Sequence, residues 1–151
     1  MNATFDILLN EFAQGQGLEV APSTRGIEFE CEGNRVYIVQ HPLHNDHLLA
    51  EVTVTAFEEI PPASVLALMM QINEAARFEH DWFIVMDSEW QVNITTSTPL
   101  SGLVVAQLEA LMLEGVTRSQ ALQSMLEGGT SATNSSDKDA PDLNPLHMVR
   151  A

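Results

Sequence analysis

His41, His44, Asp46 and His47 are the one group in this sequence whose types could ligate a metal, because three imidazoles and a carboxylate make a zinc donor set. Their spacing is weakly specific. His44 and His47 stand three apart, yet they fall after Pro42 and between two alternating segments, so no helix aims them at a common point. The preferred reading is a polar interstrand loop with solvated imidazoles and no metal. Cys31, the single cysteine, can form no internal disulfide, and its neighbours Glu30 and Glu32 raise a thiol pKa where a nucleophile needs it lowered. It reads as structural filler. No Gly-x-Ser-x-Gly elbow positions a serine, and Gly15-Gln16-Gly17 ends a helical segment where a phosphate-cradling loop would open one. Neighbouring carboxylates such as Glu58 and Glu59 belong to a solvated face of an acidic chain. The expectation is therefore no catalytic centre and no cofactor.

The charge balance narrows the partners. Asp and Glu number 21 against 6 Lys and Arg in 151 residues, a formal charge of −15, and 18 of the acids with only 4 of the bases precede Gly129. A phosphate backbone has nothing to bind here, which excludes nucleic acid as partner. Aromatic residues are 6% of the chain, too few for a base-stacking platform. No apolar run approaches the roughly 18 to 20 residues that span a bilayer, and the first residues lack the basic start of a signal peptide, so the protein is expected in the cytosol and off the membrane. The length suits one domain, expected over residues 1–128, with a mobile polar tail over 129–151.

Periodicity supplies the elements. Phe5, Leu8, Leu9 and Phe12 fall on one helical stripe. From Ile27 to Gln40 the period is two, and Gly33-Asn34 is expected as a two-residue turn that pairs Phe29 with Ile38 and Glu28 with Val39. A third strand runs from His47 to Phe57, with Leu48, Ala50, Val52 and Val54 inward and Glu51, Thr53 and Thr55 outward. Pro61-Pro62 opens a second helix whose buried stripe is Val65, Leu68, Met69, Ile72 and Ala76. Trp82 to Ile94 forms a second hairpin through Asp87-Ser88-Glu89, and Ser101 is expected to cap a third helix that bends at Gly115. The fold class is α+β: helix, three-strand antiparallel meander, helix, β-hairpin and helix, with one twisted antiparallel sheet flanked by helices.

Several apolar side chains lie off the core faces of these elements. Tyr37 and Val39 share the outer face of the first hairpin with glutamates, Phe83 and Val85 face outward in the second, and Leu66 and Met70 lie on a second stripe of the second helix. One stripe suffices to bury a surface helix, so these are expected to meet partners. The alternative is that helices cover both faces of the sheet within one chain.

An acidic chain of this length and element order, led by the helix Phe5-Asp6-Ile7-Leu8-Leu9-Asn10-Glu11-Phe12-Ala13, resembles the class I, Tir-chaperone-like type III secretion chaperones over about residues 3–127. The resemblance implies a cytoplasmic bacterial homodimer without enzymatic activity. Such a protein binds the N-terminal, non-globular segment of one or more secreted effectors, keeps it secretion-competent and delivers it for export, with the ATPase of the export apparatus as a further partner. It implies that Phe5, Leu8, Leu9 and Phe12, with Tyr37 and Val39, offer grooves to the effector, and that Leu66, Met70, Phe83 and Val85 form the dimer interface. The polar tail and the histidine-rich loop are departures from the family pattern. A dimeric regulatory or adaptor module on the same scaffold, binding a folded partner, is the alternative.

Overall fold

Alternating segments become strands and the 3.6-period stripes become helices, in the order α1 (Ala3–Gln16), β1 (Gly26–Cys31), β2 (Asn34–Gln40), β3 (His47–Ala56), α2 (Ala63–Glu79), β4 (Phe83–Met86), β5 (Gln91–Pro99) and α3 (Val105–Ser135). The structure is a computed structural model that describes residues 2–20, 25–79 and 82–135, with side chains described as far as Gly128. The five strands form one antiparallel sheet in the order β1-β2-β3-β5-β4, as the expected fold class requires. Helix α3 continues to Ser135, so its last turns, 129–135, fall within the segment expected as tail. Residues 136–151 of that segment lie outside the described residues.

Helix α1 starts at the N-cap Asn2, whose side-chain oxygen accepts from Thr4 N at 2.9 Å, and stops at Gly17 in the left-handed region. Between α1 and the sheet, α3 buries Leu108, Met112, Val116, Leu122 and Leu126, and β2 and β3 contribute Val36, Ile38, Leu48 and Val52. One face of the sheet therefore meets the helices, and no helix among the described residues covers the other.

Two local expectations need correction. The first hairpin turns at Glu32-Gly33, not at Gly33-Asn34: both turn residues have positive φ (50° and 82°), the mirror-image turn that matches strand twist. Cys31 therefore pairs with Asn34, Phe29 with Val36 and Glu28 with Tyr37. Moving the turn by one residue moves each partner by two, so the inward and outward faces are unchanged. Asn34 is in the strand because its amide is needed inside, donating to Thr53 O at 3.0 Å and Ser119 Oγ at 2.9 Å.

The second correction is the start of α3. Ser101 lies in a turn, and the helix begins at Val105 with the Gln107 side chain accepting from Val104 N at 3.2 Å. Gly115 lies inside the unbroken run of α3. A Cβ there would stand 2.6 Å from Trp82 Cη2 and 3.0 Å from Val52 Cγ2, so the glycine is a notch that admits the indole.

Candidate functional site

The histidine loop is held together by its own polar groups. His41 Nδ1 accepts the backbone N–H of both Leu43 and His44 at 3.1 Å, which takes that nitrogen away from any metal. His47 Nδ1 stands 3.0 Å from Asp46 Oδ1, and this contact holds the Asp46 carboxyl below its ordinary range. Backbone bonds from His41 N to His47 O and from Leu100 N to Asp46 O close the β2–β3 connection and dock it on the end of β5. No group of three or more His, Cys, Asp or Glu among the described residues is arranged to hold a metal. Burial, and then Glu32, push the Cys31 thiol up, which makes it a poor nucleophile.

The α1 stripe is where sequence and structure part. Phe5, Leu8, Leu9 and Phe12 are at most 5% exposed, sealed between α3 and the sheet, and Phe12 packs its ring 5.6 Å from that of Phe29. They are core side chains and offer no groove. The apolar side chain that α1 does present is Ile7, beside Leu103 and Val104 at the start of α3.

The outer face of the sheet holds the other expected residues, and the registers set them in rows. Glu28, Tyr37, Glu51, Thr95 and Phe83 form one row across all five strands. Glu30, Arg35, Thr53, Asn93 and Val85 form the next, with Thr53 bonded to the Arg35 backbone through its hydroxyl. Gly26, Val39, Leu49 and Ser97 form a third. Tyr37, Val39 and Leu49 are half-buried and adjoin one another, so an apolar strip crosses β2 and β3 beside Glu51.

Polar groups on this face are fixed in place. Arg35 Nε meets Glu28 Oε1 at 3.2 Å, and its NH1 donates to the Tyr37 hydroxyl at 3.4 Å. Asn93, 8% exposed, donates from Nδ2 to Glu51 Oε1 at 2.9 Å and accepts from Gln91 Nε2 at 3.2 Å. Burial pushes the Glu51 carboxyl up and Asp87 adds to the shift, while the Asn93 bond opposes it. Leu49 and the Glu51–Asn93 pair were not singled out from the sequence. The period of two places Leu49 outward, whereas Asn93 reaches Glu51 only through a register that joins strands 42 residues apart.

The two borders of the sheet differ. Gln40 N donates to Arg25 O, so that pair and every second residue of β1 turn toward β2, while Gly26, Glu28 and Glu30 turn their N–H and C=O away from it. No other strand pairs with β1 among the described residues. At the opposite border Asn73 of α2 occupies both backbone groups of Ile84: its Nδ2 donates to Ile84 O at 2.8 Å, and Ile84 N donates to its Oδ1 at 2.7 Å. Helix α2 packs against β4, with Leu66 half-buried and Met70 73% exposed. Phe83 and Val85 on β4 are 38% and 39% exposed, so three of the four expected interface side chains stand open in the single chain.

No protein-family model and no curated protein matches the sequence. Solved structures do. A chain of the ExsC–ExsE complex aligns at TM-score 0.69 and 17% identity over 83% of this chain and 97% of its own. A chain of the HopA1–SchA chaperone–effector complex aligns at 0.65 and 12%, covering 80% and 94%. The Yersinia pestis type III secretion chaperone SycH, solved with a stable fragment of YscM2, aligns at 0.60 and 16%, covering 78% and 98%. The fold of this chain is that of the type III secretion chaperones, over nearly the whole length of each neighbour.

Proposed function

We propose that this protein is a chaperone that binds an extended segment of a type III secreted effector on the outer face and β1 border of its sheet, and acts without turnover. The observation that carries the reading is the half-buried strip of Tyr37, Val39 and Leu49 beside a strand whose outward backbone groups pair with no other strand among the described residues. An extended chain laid against such a border gains main-chain hydrogen bonds whatever its sequence, and its alternate side chains reach the apolar strip. The likeness to a chaperone solved with its effector and to a type III secretion chaperone solved with a fragment of YscM2 supports the same assignment. Glu28 and Glu30 flank that border and disfavour pairing with a second acidic β1, which keeps it open for a different chain.

In the proposed assembly Leu66, Met70, Phe83 and Val85 form the homodimer seam. Asn73 blocks strand pairing at Ile84, so two copies meet there through side chains. The holder works in the bacterial cytoplasm, keeps the bound segment unfolded and hands it to the export apparatus, whose ATPase is the further partner. Of the residues first expected in the groove, Tyr37 and Val39 remain and the buried α1 stripe does not. The test is Tyr37→Glu with Val39→Glu in a protein co-expressed with a secreted effector that co-purifies with the wild type. Loss of co-purification from a folded, dimeric variant is expected, and retention removes the groove. A partner region that resists protease as a globular domain would instead favour an adaptor.

A further inference from the structure

Glu51 stands at the edge of the apolar strip, with polar Thr53 and Thr95 on its other sides. Tyr37 stands opposite it on β2, Leu49 precedes it on the same face of β3, and Val39 lies opposite Leu49. Its one side-chain hydrogen bond among the described residues comes from Asn93, whose amide is itself tethered to Gln91 and nearly buried, so the carboxylate is held and cannot swing away. A carboxylate can accept about four hydrogen bonds, and this half-buried one receives a single side-chain bond among the described residues. The cation on this face, Arg35, is already engaged by Glu28 and Tyr37.

A purely apolar segment covering Tyr37, Val39 and Leu49 would also strip water from Glu51 and leave an unpaired charge, a cost that cancels much of the apolar gain. A segment that brings its own cation replaces the lost water with a charge-assisted hydrogen bond. The folded part of the chain is strongly acidic, with 18 acids and 4 bases before Gly129, so a basic segment is also favoured in its approach. Along an extended chain, residues two apart face the same way.

We propose that the segment held on this face places a lysine or arginine on Glu51 and, two residues to one side of it, an apolar side chain on the strip of Tyr37, Val39 and Leu49. This rests on the effector-binding reading above and adds the signature by which a segment is chosen.

The experiment is selection of a random linear peptide library, displayed on phage, against the full-length wild type and against Glu51→Gln, Glu51→Lys and Tyr37→Glu/Val39→Glu, each confirmed folded by circular dichroism. Wild type should enrich a basic residue with an apolar one two positions to one side of it. A synthetic peptide of that pattern should bind Glu51→Gln about tenfold more weakly, while its version with glutamine in place of the base binds both alike. Glu51→Lys should invert the preference toward Asp or Glu. Wild-type binders without a base, or unchanged enrichment on Glu51→Gln, overturn the inference. If Tyr37→Glu/Val39→Glu loses the peptides while Glu51→Gln changes nothing, only the pairing with Glu51 fails and the effector face stands. Peptides retained by Tyr37→Glu/Val39→Glu, or none selected on wild type, sink both. Light scattering that shows this double variant as a monomer would mean a second copy covers the face, which also overturns the inference.

Discussion

Gly115→Ala sets two effects of known size against each other. Alanine in place of glycine inside a helix gains about 1 kcal/mol of propensity. The added Cβ, however, would stand 2.6 and 2.7 Å from Trp82 Cη2 and Cζ2 and 3.0 Å from Val52 Cγ2. Carbon atoms prefer about 3.5 to 4.0 Å, so the indole must retreat by about 1 Å. Trp82 is 5% exposed and Val52 fully buried, and overpacking at such a site costs about 1–3 kcal/mol. The balance is a net loss of about 1 kcal/mol, and Gly115→Val, with more volume and less propensity to gain, should lose about 3 kcal/mol. Equilibrium urea unfolding followed by tryptophan fluorescence measures both. A Gly115→Ala protein more stable than wild type by the full propensity gain would show that the notch under Trp82 is not filled as described.

Other perturbations read the site and its borders. Leu66→Asp with Met70→Asp should turn a dimeric wild type into a monomer by light scattering, and a wild type that is itself monomeric removes the seam. Asn73→Ala leaves the N–H and C=O of Ile84 without their partner, so stability should fall by about 2 kcal/mol and the Ile84 amide should exchange faster in hydrogen-exchange mass spectrometry. Unchanged exchange would mean the border is closed by something else. Because folding raises the Glu51 pKa, the ionised carboxylate opposes folding at neutral pH, and that opposition is relieved as pH falls through the folded pKa toward the unfolded one. Glu51→Gln should accordingly be more stable at pH 7, by no more than about 0.5 kcal/mol given solvent screening, and the two proteins should converge in acid; a less stable variant at pH 7 contradicts the burial of this group.

Periodicity alone was enough for the strands, because a period of two also decides which side chains face inward, and Val36, Ile38, Leu48 and Val52 are all in the core as read. Local spacing failed where a distant residue decides. Asn34 has the composition of a turn residue, but its partner Ser119 lies 85 residues further along, and that bond draws it into the strand. The stripe of α1 was visible and its fate was not: Phe5 to Phe12 look the same in sequence whether α3 or a guest chain covers them. Tyr37 and Val39 were legible as outward by parity, since nothing more than strand register places them. Glu51 had no local mark, as its environment is assembled from β2, β3 and β5 together.

Asn73 plugs one flank of the sheet at Ile84, and no described strand pairs with the opposite flank. Lengthening of this sheet is therefore favoured from that one side, where another copy would set its own glutamates against Glu28 and Glu30.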